Sequence, residues 1–124
     1  MSILYVDDDI EDIEIFQDAV DSVDRTIQYR AAQSGKELFE ILNTLTVLPD
    51  HVILDINMPG MDGRLCLQEI RKHEKYNRIN VIVYSTNSFP KDIEHIESLG
   101  ATFIRKANSF NDLCAIVRKL SAWK

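Results

Sequence analysis

Acidic side chains stand at the ends of two apolar runs in this chain. Asp7, Asp8 and Asp9 come directly after the first run, and Asp55 lies inside the run 52–56. A carboxylate in apolar surroundings must be paired, protonated or bound to a cation. Two carboxylates 4 Å apart repel each other by roughly 4 kcal/mol at an effective dielectric constant of about 20. If these runs are neighbouring strands, something positive must gather their carboxylates.

Two later apolar runs end in a hydroxyl or an ammonium group. Ser85 and Thr86 follow the run 81–84, and Lys106 follows the run 102–105. Lys106 offsets one acidic charge, and a hard divalent cation would offset the rest. Oxygen-only ligands suit Mg²⁺, which keeps several of its waters. Such a metal beside a carboxylate is suited to phosphoryl transfer, and Asp55 would then be the nucleophile.

The elements that must position these residues alternate along the chain. Short apolar runs predict five strands, at residues 3–6, 26–32, 51–56, 81–84 and 102–105. Apolar residues at helical spacing predict a helix after each strand. The first helix is predicted to start at Ile10, the second after a Ser34–Glu37 capping box, and the fourth at Pro90. Ser109 and Asp112 are predicted to cap the last helix. The last helix is expected to bury Phe110 together with Leu113, Ile116, Val117 and Leu120.

Strands that alternate with helices predict a parallel sheet with helices on both faces. We expect one domain over residues 1–124, a flavodoxin-like three-layer α/β sandwich of five βα units with strand order 2-1-3-4-5. The second strand has a period of two, which is typical of an edge strand. In such sheets the site lies at the carboxyl ends of the strands, where the acidic residues, the hydroxyls and Lys106 fall.

Composition excludes several classes of protein. The 124 residues carry 14 Lys and Arg against 20 Asp and Glu, a net charge of -6. The chain therefore lacks the basic surface of a nucleic-acid or membrane-surface binder. No apolar run approaches a membrane span and no signal peptide is evident, so we expect a cytoplasmic protein. We also expect a monomer or weak homodimer. We expect Cys66 and Cys114 to be buried thiols. We expect the three histidines, His51, His73 and His95, to lie at the surface or at helix caps.

The motifs together resemble the receiver domains of bacterial two-component response regulators, over essentially the whole chain. The matching stretches are residues 3–9, 52–63, 81–85 and 100–106. The resemblance implies that Asp55 accepts a phosphoryl group, that Asp8 binds Mg²⁺ directly, and that Asp7 acts mainly through water. It also implies that the backbone carbonyl of Asn57 joins the metal shell. It further implies that Ser85 and Lys106 contact the phosphoryl group and that Phe103 is a switching aromatic residue.

The function implied by this resemblance is signalling, not catalysis. A histidine kinase or phosphotransfer protein would donate the phosphoryl group. Output would pass to a partner protein through the face formed by the fourth helix, the fifth strand and the fifth helix. The sequence holds one domain, so we expect either a stand-alone receiver that acts through a partner protein or a piece of a longer protein. The sequence does not name the output partner.

The sequence departs from the family pattern next to Lys106. The family usually has proline there, commonly after a cis bond, whereas this chain has Ala107. A cis bond before a residue other than proline costs roughly 3–4 kcal/mol, so we expect a trans bond and a reshaped loop. Thr86 is larger than the usual residue and would narrow access to Asp55. Asn57 and Asn87 are expected to tune the lifetime of the phosphoryl group.

Two other classes of protein remain as alternatives at this stage. A haloacid-dehalogenase-like phosphatase also uses an Asp nucleophile at a strand end, but it needs a second Asp two residues later, where this chain has Asn57. Turnover of a generic phosphate ester would distinguish it. A flavodoxin-like nucleotide or flavin binder needs a glycine-rich phosphate loop after the first strand, where this chain has acidic residues.

Overall fold

The computed structural model describes residues 1–56, 63–86 and 90–123. Its strands are β1 Ser2–Val6, β2 Gln28–Ala32, β3 His51–Leu54, β4 Asn80–Ser85 and β5 Thr102–Arg105. Its α-helices are α1 Ile10–Val23, α2 Gly35–Thr44, α3 Gly63–Lys72, α4 Pro90–Ser98 and α5 Phe110–Ser121. A short 3₁₀ helix, Glu74–Tyr76, precedes β4. Each predicted strand and helix is confirmed, with bounds that differ by a few residues.

The five strands form one parallel sheet in the order β2-β1-β3-β4-β5, which confirms the predicted topology. The edge position of β2 follows from its composition. Over its first four residues burial alternates, since Tyr29 and Ala31 are half-buried whereas Gln28 and Arg30 are exposed. The central strand β3 is buried at every residue, because helices cover both of its faces.

Two apolar layers hold the helices on the sheet. Alternate side chains of each strand point to opposite faces, so each strand contributes to both layers. One layer packs α2, α3 and α4 and is centred on Leu4, Leu38, Val52, Leu67, Val83 and Ile96. The other packs α1 and α5 and is centred on Tyr5, Phe16, Ile53, Tyr84, Leu113 and Val117. Both cysteines are buried free thiols, as expected.

Side-chain caps fix where three of the helices begin. Asp9 accepts a hydrogen bond from the Glu11 amide at 2.9 Å, which makes it the N-cap of α1. Ser34 and Ser109 accept from the amide three residues later, as N-caps should. The predicted capping box is only half formed, because the Glu37 carboxylate accepts from the Gln33 amide instead of the Ser34 amide. The other predicted cap of α5, Asp112, instead donates its amide to Ser109.

Two burial predictions were wrong. Phe110 is 45% exposed, because it is the first residue of α5 and precedes the turn that reaches the core. His51 is buried, because the carboxyl end of α5 covers the start of the central strand. Its Nε2 lies 3.2 Å from the Leu120 carbonyl, and its Nδ1 lies 2.9 Å from the Asn80 side-chain nitrogen.

Within the described ranges, no helix combines the length and apolarity needed to cross a bilayer.

Candidate functional site

The pairing of β1 with β3 brings two distant carboxylates to one edge of the sheet. Val6 is the register partner of Leu54, so Asp7 and Asp55 leave the sheet side by side. The Asp55 amide still donates to the Val6 carbonyl at 3.0 Å, which continues the ladder by one bond. Asp7 is fully buried and Asp55 is 6% exposed. Two buried carboxylates at one strand edge require positive charge nearby.

Three donors hold the Asp7 carboxylate in one orientation. Its Oδ2 accepts from the Tyr5 hydroxyl at 2.9 Å and from Lys106 Nζ at 3.3 Å. Its Oδ1 accepts from the Asp9 amide at 3.0 Å. Both oxygens are therefore engaged within the protein. Burial, and then the charge of Asp7, raise the pKa of Tyr5 above the ordinary tyrosine value, so its hydroxyl keeps its proton and donates.

Lys106 is the cation at the centre of this acidic edge. Its Nζ lies 3.1 Å from Asp12 Oδ2, 3.3 Å from Asp7 Oδ2 and 3.8 Å from Asp55 Oδ1. Burial lowers the pKa of Lys106, but the Asp12 hydrogen bond and the charges of Asp55 and Asp7 outweigh burial and raise it. Lys106 is therefore held as an ammonium group among the carboxylates.

The described acidic groups outnumber this one ammonium. One ligand oxygen from each of Asp7, Asp8 and Asp55 lies within 4.8 Å of the others, a spacing that allows a shared metal ion. At that separation and an effective dielectric constant of about 20, each pair of carboxylates repels by roughly 3–4 kcal/mol. A single lysine cannot cancel three such repulsions. The arrangement is therefore electrostatically suited to a divalent cation bound by oxygen ligands.

The remaining predicted contacts come from β4 and β5. Ser85 is buried at the carboxyl end of β4, and its carbonyl accepts the Lys106 amide at 3.0 Å. This backbone bond keeps the ends of the two strands together. Thr86 follows as an exposed residue. Phe103, in β5, is half-buried against the layer beneath α4. The predicted Asn57 and Asn87 lie outside the described residues.

Gly63 sets the distance between α3 and the strand that carries Asp55. A Cβ atom at Gly63 would lie 2.5 Å from the Asp55 carbonyl oxygen and 3.1 Å from the Ile56 Cα. Any other residue would therefore push the start of α3 away from the end of β3. The Gly63 amide also donates to the Ile56 carbonyl at 3.2 Å, which holds the start of α3 beside the end of β3.

The loop after Lys106 has the predicted trans geometry. None of the peptide bonds in the described ranges is cis, and the Lys106–Ala107 bond is among them. The Ala107 amide donates to the Tyr84 hydroxyl at 3.0 Å. A proline at this position has no amide hydrogen and could not make the bond.

Sequence analysis missed three residues of the site, Tyr5, Asp12 and Tyr84. The sequence positions of two of them could have indicated a role in the site. Tyr5 is two residues before Asp7 and therefore on the same face of β1, and Asp12 is four residues after Asp8 on the first turn of α1. Tyr84 gave no such indication, since an aromatic residue in a buried strand is typical of a core.

Comparison with known protein families shows which family the chain belongs to. The family model described as the response regulator receiver domain matches residues 3–118. The chain belongs to the response regulator receiver domain family. Receiver domains are signalling modules that work with histidine kinases and output partners.

Curated receiver-containing proteins match almost the whole chain. A protein-glutamate methylesterase/protein-glutamine glutaminase of Methanococcoides burtonii is 32% identical over 120 residues, 94% of this chain and 33% of that protein. The sensor histidine kinase CheAY of Helicobacter pylori is 28% identical over 118 residues, 94% of this chain and 14% of that protein. The chain thus spans a third or less of the length of these two relatives.

Solved receiver structures share the fold closely. The phosphorylated cyanobacterial phytochrome response regulator RcpA superposes with a TM-score of 0.86 at 29% identity, covering 97% of this chain and 90% of that one. The receiver domain of a DNA-binding response regulator from Colwellia psychrerythraea 34H gives 0.84 at 26% identity, covering 99% of both chains. These superpositions agree with the flavodoxin-like order of the five strands.

Proposed function

We propose that this receiver accepts a phosphoryl group on Asp55 from a histidine kinase or phosphotransfer protein in a Mg²⁺-dependent reaction. The observation that carries the proposal is the convergence of Asp7, Asp8 and Asp55 within 4.8 Å, with Lys106 Nζ 3.8 Å from Asp55. RcpA was solved in a phosphorylated form, and that relative is consistent with the same chemistry here.

The donor set fits Mg²⁺, because it is made only of oxygens and supplies few enough ligands to leave water positions. Asp8 is exposed, and one oxygen of Asp55 lies within 4.8 Å of an Asp8 oxygen, so these two would bind the ion directly. Asp7 has both oxygens engaged and would act through water. The carbonyl of Asn57 would complete the protein ligands. Bound Mg²⁺ would neutralise charge on the oxygens of the transferred group.

In the proposed transfer, an Asp55 carboxylate oxygen attacks the phosphorus in line with the donor nitrogen. The new O–P bond forms as the N–P bond breaks, and the electron pair returns to the donor's imidazole. The Lys106 ammonium group donates to one phosphoryl oxygen, and the Ser85 hydroxyl donates to another. Thr86 would narrow access to Asp55, and Asn57 and Asn87 would set the lifetime of the acyl phosphate.

The phosphoryl group adds about two negative charges and three acceptor oxygens. Ser85 ends β4 and Lys106 directly follows β5, so a movement of either side chain toward the phosphoryl group would reach α4 and α5. The proposed output surface is therefore the face of α4, β5 and α5, with Phe103 as its switching aromatic residue. We propose that a separate partner protein binds this face, and that the chain acts in the cytoplasm as a monomer or weak homodimer without nucleic acid or membrane.

The test is incubation with a small phosphodonor, with and without Mg²⁺, followed by intact-mass measurement. The parent protein and an Asp18→Asn control, which removes an exposed acidic charge from α1, should gain one phosphoryl group in Mg²⁺ only. Asp55→Asn should gain none. Equal labelling of Asp55→Asn and the parent would refute Asp55 as the acceptor, and steady turnover of a generic phosphate ester would favour a phosphatase.

A further inference from the structure

We propose that Tyr84 is a positioning residue that fixes Lys106 over the acidic edge. The inference rests on the proposed function for its kinetic test but not for its structural test. Tyr84 lies on β4 one residue before Ser85, and its ring belongs to the layer beneath α1 and α5. Side chains alternate along a strand, so Tyr84 faces the side of the sheet that also carries Ile104 and Lys106.

Tyr84 meets the Lys106 segment at two points. Its hydroxyl accepts the amide of Ala107 at 3.0 Å, and its ring centroid lies 5.8 Å from Lys106 Nζ. The first contact fixes the backbone immediately after Lys106. The second places a π face within the range of a cation–π interaction with the ammonium group. The residue therefore constrains both the backbone and the charged end of the lysine.

The tyrosine is itself held firmly. Its residue is 5% exposed, and its ring makes edge contacts with Tyr5 at 6.4 Å and with Phe16 at 6.0 Å between centroids. Burial raises the pKa of Tyr84, so the hydroxyl stays neutral and can accept from Ala107. A rigid support of this kind transmits its position to the group that it holds.

A second tyrosine, Tyr5, supports the acidic edge in a similar way. Tyr5 donates to Asp7 at 2.9 Å, on the same Oδ2 that accepts from Lys106. One tyrosine thus orients the carboxylate and the other orients the lysine, from a shared aromatic cluster under the site. The Tyr84 contact requires an amide hydrogen on residue 107, so the alanine and the tyrosine function as a pair.

The kinetic test compares Tyr84→Phe with Tyr29→Phe. Both remove one hydroxyl from the same aromatic cluster, but the Tyr29 hydroxyl donates to the Ile13 carbonyl of α1. Tyr84→Phe should lower the maximal rate of phosphorylation by a small phosphodonor by about threefold to tenfold, the range for one lost oriented hydrogen bond. The half-saturating donor concentration should change much less, and Tyr29→Phe should keep the parental rate.

Ala107→Pro removes the other half of the contact. In that background Tyr84→Phe should slow the reaction little further, because the hydrogen bond is already absent. A Tyr84→Phe rate equal to that of Tyr29→Phe, at a similar loss of thermal stability, would show a purely structural role and overturn the proposal. An undiminished effect of Tyr84→Phe in the Ala107→Pro background would equally overturn it.

The structural test separates this proposal from the proposed function. A crystal structure of Tyr84→Phe should show Lys106 Nζ displaced from Asp7 and Asp55, whereas Tyr29→Phe should leave it in place. An unmoved Lys106 in Tyr84→Phe would refute the positioning role. Failure of the parent to label would instead refute phosphoacceptance, and the crystal structures would still decide the role of Tyr84.

Discussion

Two glycines, Gly63 and Gly100, offer a matched test of how α3 supports the site. A Cβ atom at Gly63 would meet the Asp55 carbonyl oxygen at 2.5 Å, whereas at Gly100 the nearest atom is 3.8 Å away. Gly100 instead has a φ of 73°, which strains any residue with a side chain. Gly63→Ala therefore introduces a clash at the site, and Gly100→Ala introduces backbone strain far from it.

The magnitude follows from the contact. The distance from a Cβ atom at residue 63 to the Asp55 carbonyl oxygen is about 0.9 Å shorter than an ordinary van der Waals contact. Overpacking of this kind typically costs about 1–3 kcal/mol. Relief requires α3 and the Asp55 backbone to separate by a similar distance. A misplacement of about 1 Å in a reacting group lowers a rate by as much as a hundredfold. Gly100→Ala should cost about 1–2 kcal/mol from its left-handed backbone alone.

The assay measures, for both variants, unfolding in urea and the rate of phosphorylation by a small phosphodonor. Both variants should unfold at lower urea concentration than the parent, but only Gly63→Ala should phosphorylate slowly, by about tenfold to a hundredfold. If Gly63→Ala phosphorylates at the parental rate, Asp55 does not depend on the close approach of α3. If Gly100→Ala slows phosphorylation equally, the rate reports general stability and the reasoning fails.

Three further predictions follow from the charges and buried groups. Lys106 has a raised pKa in the folded protein, so its stabilisation is present below pH 10.5 and is lost as pH rises through the folded value. Lys106→Gln should destabilise the protein by about 1–3 kcal/mol at pH 8 and flatten the alkaline loss of stability seen in urea titrations; an unchanged alkaline slope would contradict this. Burial lowers the pKa of His51, so the unfolded state binds a proton first and stability should fall as pH drops below 6.5. His51→Gln should reduce that acid loss, the exposed His73→Gln should not, and identical profiles would count against the assignment. Mg²⁺ at ten times its dissociation constant should stabilise the parent by about 1.4 kcal/mol in thermal melts, and should stabilise Asp8→Asn less at the same concentration; equal shifts would place the ion elsewhere.

The sequence predicted the fold well because its local signals agree. Apolar runs such as 52–54 predict buried parallel strands, and the caps at Ser34 and Ser109 are local hydrogen bonds that short motifs indicate. The strand order followed from general rules for parallel sheets. The exposed Phe110 was mispredicted because helical periodicity does not show which first-turn residue precedes contact with the core.

The candidate site was predicted in part for a related reason. Strand ends located Asp7, Asp55, Ser85 and Lys106, since the carboxyl ends of parallel strands share one edge. The supporting hydrogen bonds were not predictable, because Tyr84 meets Ala107 across 23 residues and only the folded register brings them together. The buried His51 was missed likewise, since its partner Leu120 is 69 residues away.

The central claim is that Asp55 carries the phosphoryl group. Borohydride reduces an aspartyl phosphate to homoserine, so treatment of the phosphodonor-labelled protein followed by peptide mass mapping locates the acceptor directly. The account predicts homoserine at residue 55 in samples labelled with Mg²⁺, and none in samples lacking Mg²⁺. Homoserine at Asp7 or Asp8, or labelled protein that yields no homoserine, would contradict it.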